Sequence, residues 1–499
     1  MSFAELVKLM TTPIASLVIR GRVIETDLVE FGGRGGDLKF CAPDPHKYVD
    51  EIALNSPGKM ADLQALSFEQ ILDYLEELGT YLDISKNDEL QLARELSYLT
   101  APSTPPLVDY SYAQLGHMFD QNVIRQIAEK RIGVPYLEGW VREPLLNGVE
   151  MEVRAFGARS LHIVAGNSPV LAAVTVIRNA ITRSDAIVKV PSNDPFTAGA
   201  IAKTMCRMAP DHAITKHFTA AYWRGGDEDF ERKLYRPQNI EKILAWGGFA
   251  SVKHVTKYIQ PGLELISLDP KRSMSIIGAE ALESEEMMRE AAQRLATDVG
   301  ALNQLACASA RVAYVISGTD DVGVSRVNKL GQYVYEAIQS LPEHLSTPAK
   351  KFDRELKAEV DTLKLQDEWY RVVGGKADEG AVIVSQLPSP VEFAQSLGDR
   401  VANLVPVDSI DDVLAEVDSY TQTVGVFPES LKADVMDILP LYGAQRFVSL
   451  GWALAGTLAG PQDGIDPLNR MCKWIINEIS DPAHVRAMRD KSINETQMD

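Results

Sequence analysis

The sequence predicts an α/β protein with a doubly wound parallel sheet and a second α/β domain. From Val149 onwards, short apolar strands alternate with helical stretches; the strands read SLHIV, DAIVKV, FTAAYW and KILAW. Alternation at this spacing is typical of parallel βαβ units with right-handed crossovers. A strand–helix–strand pattern recurs between residues 390 and 430, which predicts the second domain.

An N-terminal layer is expected before this alternation. The first 50 residues show short strand-like alternation and glycine-rich turns, and helical periodicity runs from about Ser67 to Leu99. A proline-rich break follows at residues 101–111, and the stretch from Tyr112 to Arg131 again has a helical pattern. The second region begins near Ser284 with an acidic helix.

Composition and charge limit the function classes. The 499 residues include 69 acidic and 50 basic ones, for a net charge of -19, which disfavours binding to nucleic acid or to anionic membranes. Four cysteines without a CxxC pair favour a reducing compartment, so we expect a cytoplasmic protein. No apolar run approaches the roughly 20 residues of a membrane span.

Polar turns follow the predicted parallel strands and should line one crevice. They read GNSP at 166–169, VPSND at 190–194, WRGGD at 223–227 and WGGFAS at 246–251. The carboxyl ends of parallel strands are where such a sheet binds its ligand. Glycines at a strand-to-helix junction also allow close approach of a pyrophosphate, although each of them is equally explained as a turn residue.

Cys307 is the candidate nucleophile. It lies in DVGALNQLACASARVAYVISG, where a turn enters a valine-rich strand. Backbone N–H groups at such a turn lower a thiol pKa and offer donors to an oxyanion. The local sequence alone favours a small core residue over a nucleophile.

These motifs, in this order, resemble the aldehyde dehydrogenase superfamily. The resemblance rests on GNSP, on KVPS at 189–192, on KILAWGGFASV at 242–252 and on the cysteine region. Within the superfamily, YWRGGD at 222–227, NQLACAS at 303–309 and DRVANLVPV at 399–407 are most similar to the bioluminescence-type long-chain fatty acyl-CoA reductases. The likeness spans roughly residues 30 to 480 and implies an aldehyde-dehydrogenase-like fold.

The resemblance also implies domains and site residues. It assigns residues 1–283 to an N-terminal and nucleotide-binding domain, 284–445 to a catalytic domain, and 446–499 to a segment that packs on the nucleotide domain or on a neighbouring subunit. Cys307 would be the nucleophile and the Asn167 side chain an oxyanion donor. The implied cofactor-binding residues are Gly166, Lys189, Pro191, Ser192, Gly225, Gly226, Gly247 and Gly248.

Two departures set the direction of the reaction and the cofactor. Hydrolytic members carry a glutamate that activates water, whereas Ser267 occupies the best-aligned position here and Glu264 is the alternative. Serine is no general base near neutral pH. Ser192 stands where an acidic residue would mark NAD, so Lys189 and Ser192 favour NADPH; Asp194 would favour NADH instead.

We therefore expect NADPH-dependent reduction of a long-chain acyl-CoA to the aldehyde, with coenzyme A as leaving group. The alternatives are an aldehyde dehydrogenase that works oxidatively, either CoA-acylating or hydrolytic, and a catalytically silent nucleotide-binding scaffold. Family likeness adds an acyl-protein ligase as an expected partner and a homo-oligomer as the expected assembly. No metal site is expected, because no HExxH or Cys/His pair at ligand spacing occurs.

Overall fold

A computed structural model describes residues 12–32, 38–144, 150–456 and 459–479. The strands are β1 (Leu17–Ile19), β2 (Arg22–Ile24), β3 (Leu28–Gly32), β4 (Lys39–Pro43), β5 (Val141–Pro144), β6 (Glu150–Phe156), β7 (Arg159–Ile163), β8 (Asp185–Lys189), β9 (Phe218–Ala221), β10 (Lys242–Trp246), β11 (Glu264–Leu268), β12 (Arg272–Ile277), β13 (Ala310–Ile316), β14 (Tyr370–Gly374), β15 (Ala381–Ser385), β16 (Val401–Val407), β17 (Thr421–Phe427), β18 (Arg446–Ser449) and β19 (Lys473–Ile479).

The helices are α1 (Pro45–Ile52), α2 (Ala61–Ala65), α3 (Phe68–Tyr81), α4 (Asp88–Thr100), α5 (Pro105–Gln114), α6 (Gln121–Arg131), α7 (Val134–Glu138), α8 (Val170–Thr182), α9 (Thr197–Met208), α10 (Ala213–Lys216), α11 (Glu228–Leu234), α12 (Phe249–Thr256), α13 (Glu285–Gly300), α14 (Asp321–Gln339), α15 (Arg354–Leu363), α16 (Ile410–Leu414), α17 (Lys432–Val435), α18 (Leu439–Tyr442) and α19 (Pro467–Met471). Short 3-10 turns join several of them.

The first sheet has seven strands in the order β11-β10-β7-β8-β9-β1-β2. Strands β7 to β11 run parallel, while β1 pairs antiparallel with β9 and β2 pairs antiparallel with β1. The chain order reverses between β7 and β10, because β8 lies on one side of β7 and β10 on the other. Ligands of open α/β sheets bind at such a switch point, beyond the carboxyl ends of the strands.

Helices of the N-terminal layer cover this sheet, with two differences from the predicted boundaries. The helical stretch from Ser67 is two helices, because Asn87 caps a new one: its side chain accepts a hydrogen bond from the backbone of Leu90. Helix α5 begins inside the predicted proline-rich break, with proline in its first turn. Proline is tolerated there because the first helical N–H groups have no partner within the helix.

The second sheet also has seven strands, in the order β14-β15-β16-β13-β12-β17-β18. All neighbours are parallel except β14 and β15. The chain passes from the first sheet to the second at residues 269–271, between β11 and β12. Strand β12 thus lies in the second sheet although the predicted boundary at 283/284 assigns it to the first domain, and β18 lies in it beyond the predicted boundary at 445/446.

The C-terminal segment returns to the first half of the chain. Strand β19 pairs antiparallel with β6, which also pairs with β5, in a three-stranded sheet. Leu468 and Met471 of α19 are buried in the same apolar cluster as helices α3 and α8. Residues 480–499 of the predicted segment, and the glycine-rich turn at 33–37, lie outside the described residues.

Within the described ranges, no helix combines the length and the apolar character needed to cross a membrane.

Candidate active site

Two sheet edges face each other at the predicted nucleophile. The turn after β7 carries Asn167, and the turn before β13 carries Cys307. The Asn167 side-chain nitrogen donates to the carbonyl of Leu305 at 3.1 Å, two residues before the cysteine. The structure therefore brings Asn167 to the nucleophile turn, and the second amide hydrogen of Asn167 is left for another acceptor.

The turn that carries Cys307 is held by buried amides. Gln304 is buried, and its side-chain nitrogen donates to the carbonyls of Ala310 at 2.8 Å and Val401 at 2.9 Å. The hydroxyl of Ser273 on β12 donates to the Cys307 carbonyl at 2.7 Å. These bonds fix the backbone of the turn while the Cys307 side chain stays exposed.

The predicted lowering of the Cys307 pKa is wrong. Burial by surrounding protein atoms is the main cause that raises it, and the carboxylate of Asp463 adds to the rise. The backbone N–H groups of Cys307 and Ala308 act in the predicted direction but are outweighed. Cys307 as a residue is thus exposed to solvent, but the protein atoms around its sulfur disfavour the thiolate.

Two residues at the thiol were missed by the sequence analysis. The Gln422 side-chain nitrogen on β17 donates to the Cys307 sulfur at 3.2 Å and to the Asp463 carboxylate at 2.5 Å. Asp463 has positive φ, 54°, in the loop before α19. Gln422 lies 115 residues after Cys307 in the chain, and neither residue belongs to a local motif that could have marked it.

Gly166 is required by close packing. A Cβ added there would overlap the side-chain oxygen of Asn193 and would lie 2.9 Å from the ring of Pro191. The Asn193 side chain also donates to the Gly166 carbonyl at 2.8 Å. The turns after β7 and β8 are thus joined directly, which places Asn167 relative to Lys189.

Lys189 ends β8 next to the aromatic ring of Trp223, with its ammonium 5.5 Å from the ring centroid. Burial lowers the pKa of Lys189 to about 8, and the buried Glu231 carboxylate opposes this change. No ion pair of Lys189 occurs among the described residues. A partly desolvated cation that makes no direct ion pair suits a phosphate ligand.

The neighbouring turn after β8 carries Ser192 and Asp194 in different roles. The Ser192 hydroxyl lies 3.1 Å from the hydroxyl of Tyr222. The Asp194 carboxylate accepts from the backbone N–H and the hydroxyl of Thr197, at 3.2 and 2.5 Å, and so caps the start of α9. The Asp194 carboxylate is therefore hydrogen-bonded at the start of α9.

The glycine turns after β9 and β10 are open. A Cβ added at Gly225, Gly226 or Gly248 would meet no atom within 4 Å, and at Gly247 it would meet only Ser251 at 3.3 Å. Gly248 directly precedes helix α12 and offers no side-chain cap, and the first residues of the helix are exposed. Free N–H groups at an uncapped helix start are donors for an anion such as a pyrophosphate.

Glu264 is held away from the predicted nucleophile, Cys307. It starts β11, whereas the site lies beyond the other end of this strand; four residues of strand span about 13 Å. Its carboxylate accepts from Lys242 at 2.9 Å and from Arg470 at 2.7 Å. Burial raises the pKa of Glu264, but these hydrogen bonds outweigh burial and lower it overall. Ser267 donates to Asp269.

A cavity of about 370 Å³ adjoins the nucleophile turn. Ser273, which binds the Cys307 carbonyl, and Thr421, which precedes Gln422, both line it. Its wall combines apolar groups such as Val391 with the cations Arg272 and Arg311. The volume lies in the lower part of the range for small-molecule sites.

Comparison with known proteins identifies the family. The model of the acyl-CoA reductase family, LuxC, matches residues 63–474. The chain belongs to the LuxC acyl-CoA reductase family. The long-chain acyl-protein thioester reductase of Photorhabdus luminescens is 29% identical to this LuxC-family chain over 356 residues, 68% of the chain and 67% of the relative. That of Aliivibrio fischeri is 27% identical over 320 residues, 64% of each.

Solved structures show the fold. The NADP-dependent glyceraldehyde-3-phosphate dehydrogenase from Bacillus halodurans, complexed with NADP, superposes with a TM-score of 0.71 at 12% identity, covering 94% of this chain and 99% of that one. Aldehyde dehydrogenase 21 from Physcomitrella patens gives 0.71 at 11% identity, with the same coverage. The predicted aldehyde-dehydrogenase-like fold is confirmed, and this LuxC-family chain is an oxidoreductase acting on aldehyde or acyl groups.

Proposed function

We propose that this protein reduces a long-chain acyl thioester to the aldehyde with NADPH, through an acyl group carried on Cys307. The observation that carries the proposal is the contact of Asn167 with the nucleophile turn, because it joins the nucleotide-side edge to the thiol. Acyl-CoA is the expected donor, and coenzyme A is then the leaving group. The names of the relatives add a protein-bound acyl thioester as a second donor.

The acyl transfer uses groups of this chain. The Cys307 thiol loses its proton to solvent, and the thiolate sulfur forms a bond to the acyl carbon. The bond from that carbon to the donor sulfur breaks, and the donor thiolate leaves with the electron pair. The free hydrogen of the Asn167 amide and the Cys307 backbone N–H stabilise the intermediate oxyanion. Thioester exchange is close to isoergic, so no strong driving force is needed.

The residues present fit a nicotinamide dinucleotide. The uncapped start of α12 and the open glycine turns suit a pyrophosphate, and Lys189 with Ser192 suits a 2′-phosphate. When bound, the cofactor supplies a hydride to the acyl carbon. One carboxylate oxygen of Asp194 accepts both hydrogen bonds from Thr197 at the start of α9, and this use of the carboxylate supports NADPH over NADH.

Reduction rather than hydrolysis follows from the position of the carboxylates. Glu264 is bound to Lys242 and Arg470 at the far end of β11, and Asp463 is hydrogen-bonded to Gln422. We infer that neither carboxylate activates water, since Glu264 lies at the far end of β11 and one oxygen of Asp463 is bound to Gln422, so the acyl-enzyme persists until it is reduced. The aldehyde then leaves as the thiohemiacetal collapses and Cys307 recovers its thiolate.

A two-stage assay tests the proposal. Purified protein is mixed with an acyl-CoA of 12 to 16 carbons, roughly the long-chain class, and Cys307 acylation is followed by mass spectrometry. NADPH is then added, and NADPH oxidation and aldehyde are measured. We expect acylation without NADPH and aldehyde only after its addition. Acid formation from aldehyde and NADP+ without coenzyme A would instead support the hydrolytic alternative, and a C307A variant is the control.

A further inference from the structure

The thiol of Cys307 has an amide neighbour that the reaction proposed above leaves without a role. We propose that Gln422 is a catalytic hydrogen-bond donor to the Cys307 sulfur, and that Asp463 is the positioning residue that holds its amide in this orientation. The Gln422 amide, held in this orientation, then stabilises the thiolate from which acyl transfer starts, against the opposing charge of Asp463. This inference rests on the proposed function, in which Cys307 carries the acyl group.

The geometry defines the role of Gln422. A single nitrogen with two hydrogens serves two acceptors, the Cys307 sulfur at 3.2 Å and a carboxylate oxygen of Asp463 at 2.5 Å. The amide is largely buried, with 7% of the residue exposed, so water competes little for either bond. A hydrogen bond to an ionised acceptor is about twice as strong as one between neutral groups, so the amide favours thiolate over thiol.

Asp463 decides which end of the amide faces sulfur. An ionised carboxylate only accepts hydrogen bonds, so it selects the nitrogen of Gln422 and repels its oxygen. Without the carboxylate, the long hydrogen bond of 3.4 Å from the Thr423 hydroxyl to the amide oxygen is left to oppose a half-turn rotation that presents this oxygen to the thiol. An amide oxygen accepts from S–H and would stabilise the unreactive thiol.

The loop that carries Asp463 is anchored on both sides. The guanidinium of Arg178 on α8 donates to the Gln462 side chain at 2.8 Å, and Arg131 on α6 lies 3.4 Å from the Asp466 carboxylate. Both anchors belong to the first half of the chain. The carboxylate that orients Gln422 is therefore held by the nucleotide-binding side, while Gln422 itself lies on the second sheet.

Other charged groups also act on this pair. Arg311 and Arg446 interact electrostatically with Cys307, and the carboxylate of Asp463 acts on it with the opposite sign. Burial raises the pKa of Asp463, and the hydrogen bond from Gln422 and the charges of Lys271 and Arg178 oppose this rise. The positive charges of the two arginines favour the thiolate from a distance. Among the described residues, the Gln422 amide is the one side chain that donates a hydrogen bond to the Cys307 sulfur.

The thiol pKa tests the role of Gln422. The rate of Cys307 alkylation by iodoacetamide is measured between pH 6 and 10 on the full chain, with the modified peptide identified by mass spectrometry. We expect Gln422→Leu to raise the apparent pKa by about one, a roughly tenfold loss of rate below the pKa. The isosteric Gln422→Glu should raise it further. Unchanged profiles in both variants would overturn the proposal.

A matched control separates this role from packing. Gln445 on the loop before β18 has the same side chain, but its amide donates to the Ser419 carbonyl at 3.3 Å. Gln445→Leu should leave the alkylation profile unchanged. A rise as large as that of Gln422→Leu would show that loss of packing, not of the donor, is responsible, and would also overturn the proposal.

A double-mutant comparison tests Asp463. Asp463→Asn removes a negative charge in any background but disturbs amide orientation only where Gln422 is present. Its effect on the alkylation rate should therefore differ about tenfold between the parent chain and the Gln422→Leu variant. Equal effects would overturn the positioning role. Alkylation needs no thioester or cofactor, so these results stand apart from the reductase assay: failed aldehyde formation with shifted profiles rejects only the proposed function.

Discussion

Under the proposed function, Lys189 should make NADPH binding depend on pH in a range that is easily measured. Burial lowers its pKa to about 8. The 2′-phosphate is close to fully ionised above pH 7, since its second pKa is about 6, so only the lysine changes charge at higher pH. At pH 9 about one lysine in ten is protonated, and NADPH should bind about tenfold more weakly than at pH 7.

The contribution of Lys189 to folding stability increases as pH rises, so it does not confound the binding measurement. The pKa of Lys189 is lower in the folded protein than the 10.5 of the free side chain. Between these values the unfolded chain binds more protons, so this group makes the folded state more stable as pH rises. Weaker binding at pH 9 would therefore not be caused by unfolding at this site.

Fluorescence titration of NADPH and NADH from pH 6.5 to 9.5 measures both dissociation constants. NADH has no 2′-phosphate, so its curve should be flat. Lys189→Arg keeps a cation across the whole range and should flatten the NADPH curve as well. Equal NADPH affinity at pH 7 and pH 9, or an equal weakening of NADH, would refute the assignment of Lys189 to the phosphate.

Three further substitutions follow from the site. Asn167→Ala should lower kcat for thioester reduction by about 10² to 10³, because an oxyanion donor is lost, while iodoacetamide alkylation of Cys307 continues. Gly166→Ala should lower stability by roughly 1–3 kcal/mol in thermal denaturation, because the new methyl would overlap the Asn193 side chain. Glu264→Gln should keep kcat and lower stability by about 1 kcal/mol, since the lost ion pairs are partly exposed.

Each of these outcomes has a counterpart that would contradict it. An unchanged kcat in the Asn167 variant would remove the side chain from the oxyanion site. A Gly166 variant as stable as the parent would mean that Asn193 moves aside freely. If kcat fell as far in the Glu264 variant as in the Asn167 variant, Glu264 would have a catalytic role despite its bonds to Lys242 and Arg470.

The sequence predicted those parts of the fold that repeat locally. Alternating strands and helices indicated β7 to β11 in parallel order, and the turn after each strand lies where the pattern placed it. The antiparallel addition of β1 and β2 was not predictable, because a three-residue strand has no periodicity of its own. The change of sheet at residues 269–271 was missed for a similar reason: β11 and β12 are separated by only a short turn, which resembles a hairpin connection.

The site divides in the same way. Cys307 and Asn167 lie in turns and Lys189 ends β8, each within a recognisable motif, so the sequence could nominate them as candidates. Gln422 and Asp463 lie in unremarkable positions and reach the sulfur only through tertiary packing. The direction of the Cys307 pKa change failed for the same reason, since the burial and the carboxylate that raise it come from distant segments.

The pairing of β19 with β6 has a consequence for biosynthesis. Asn477 and Glu152 bond across this pair although 325 residues separate them. On the ribosome, β6 and the whole first parallel sheet emerge long before β19 exists to cover that edge. Asp463 is made in the same late stretch, so a nascent chain carries Cys307 before it carries the group that orients the Gln422 amide. In a chain stalled before Asp463 is made, the Cys307 sulfur would therefore lack the carboxylate that orients its hydrogen-bond donor.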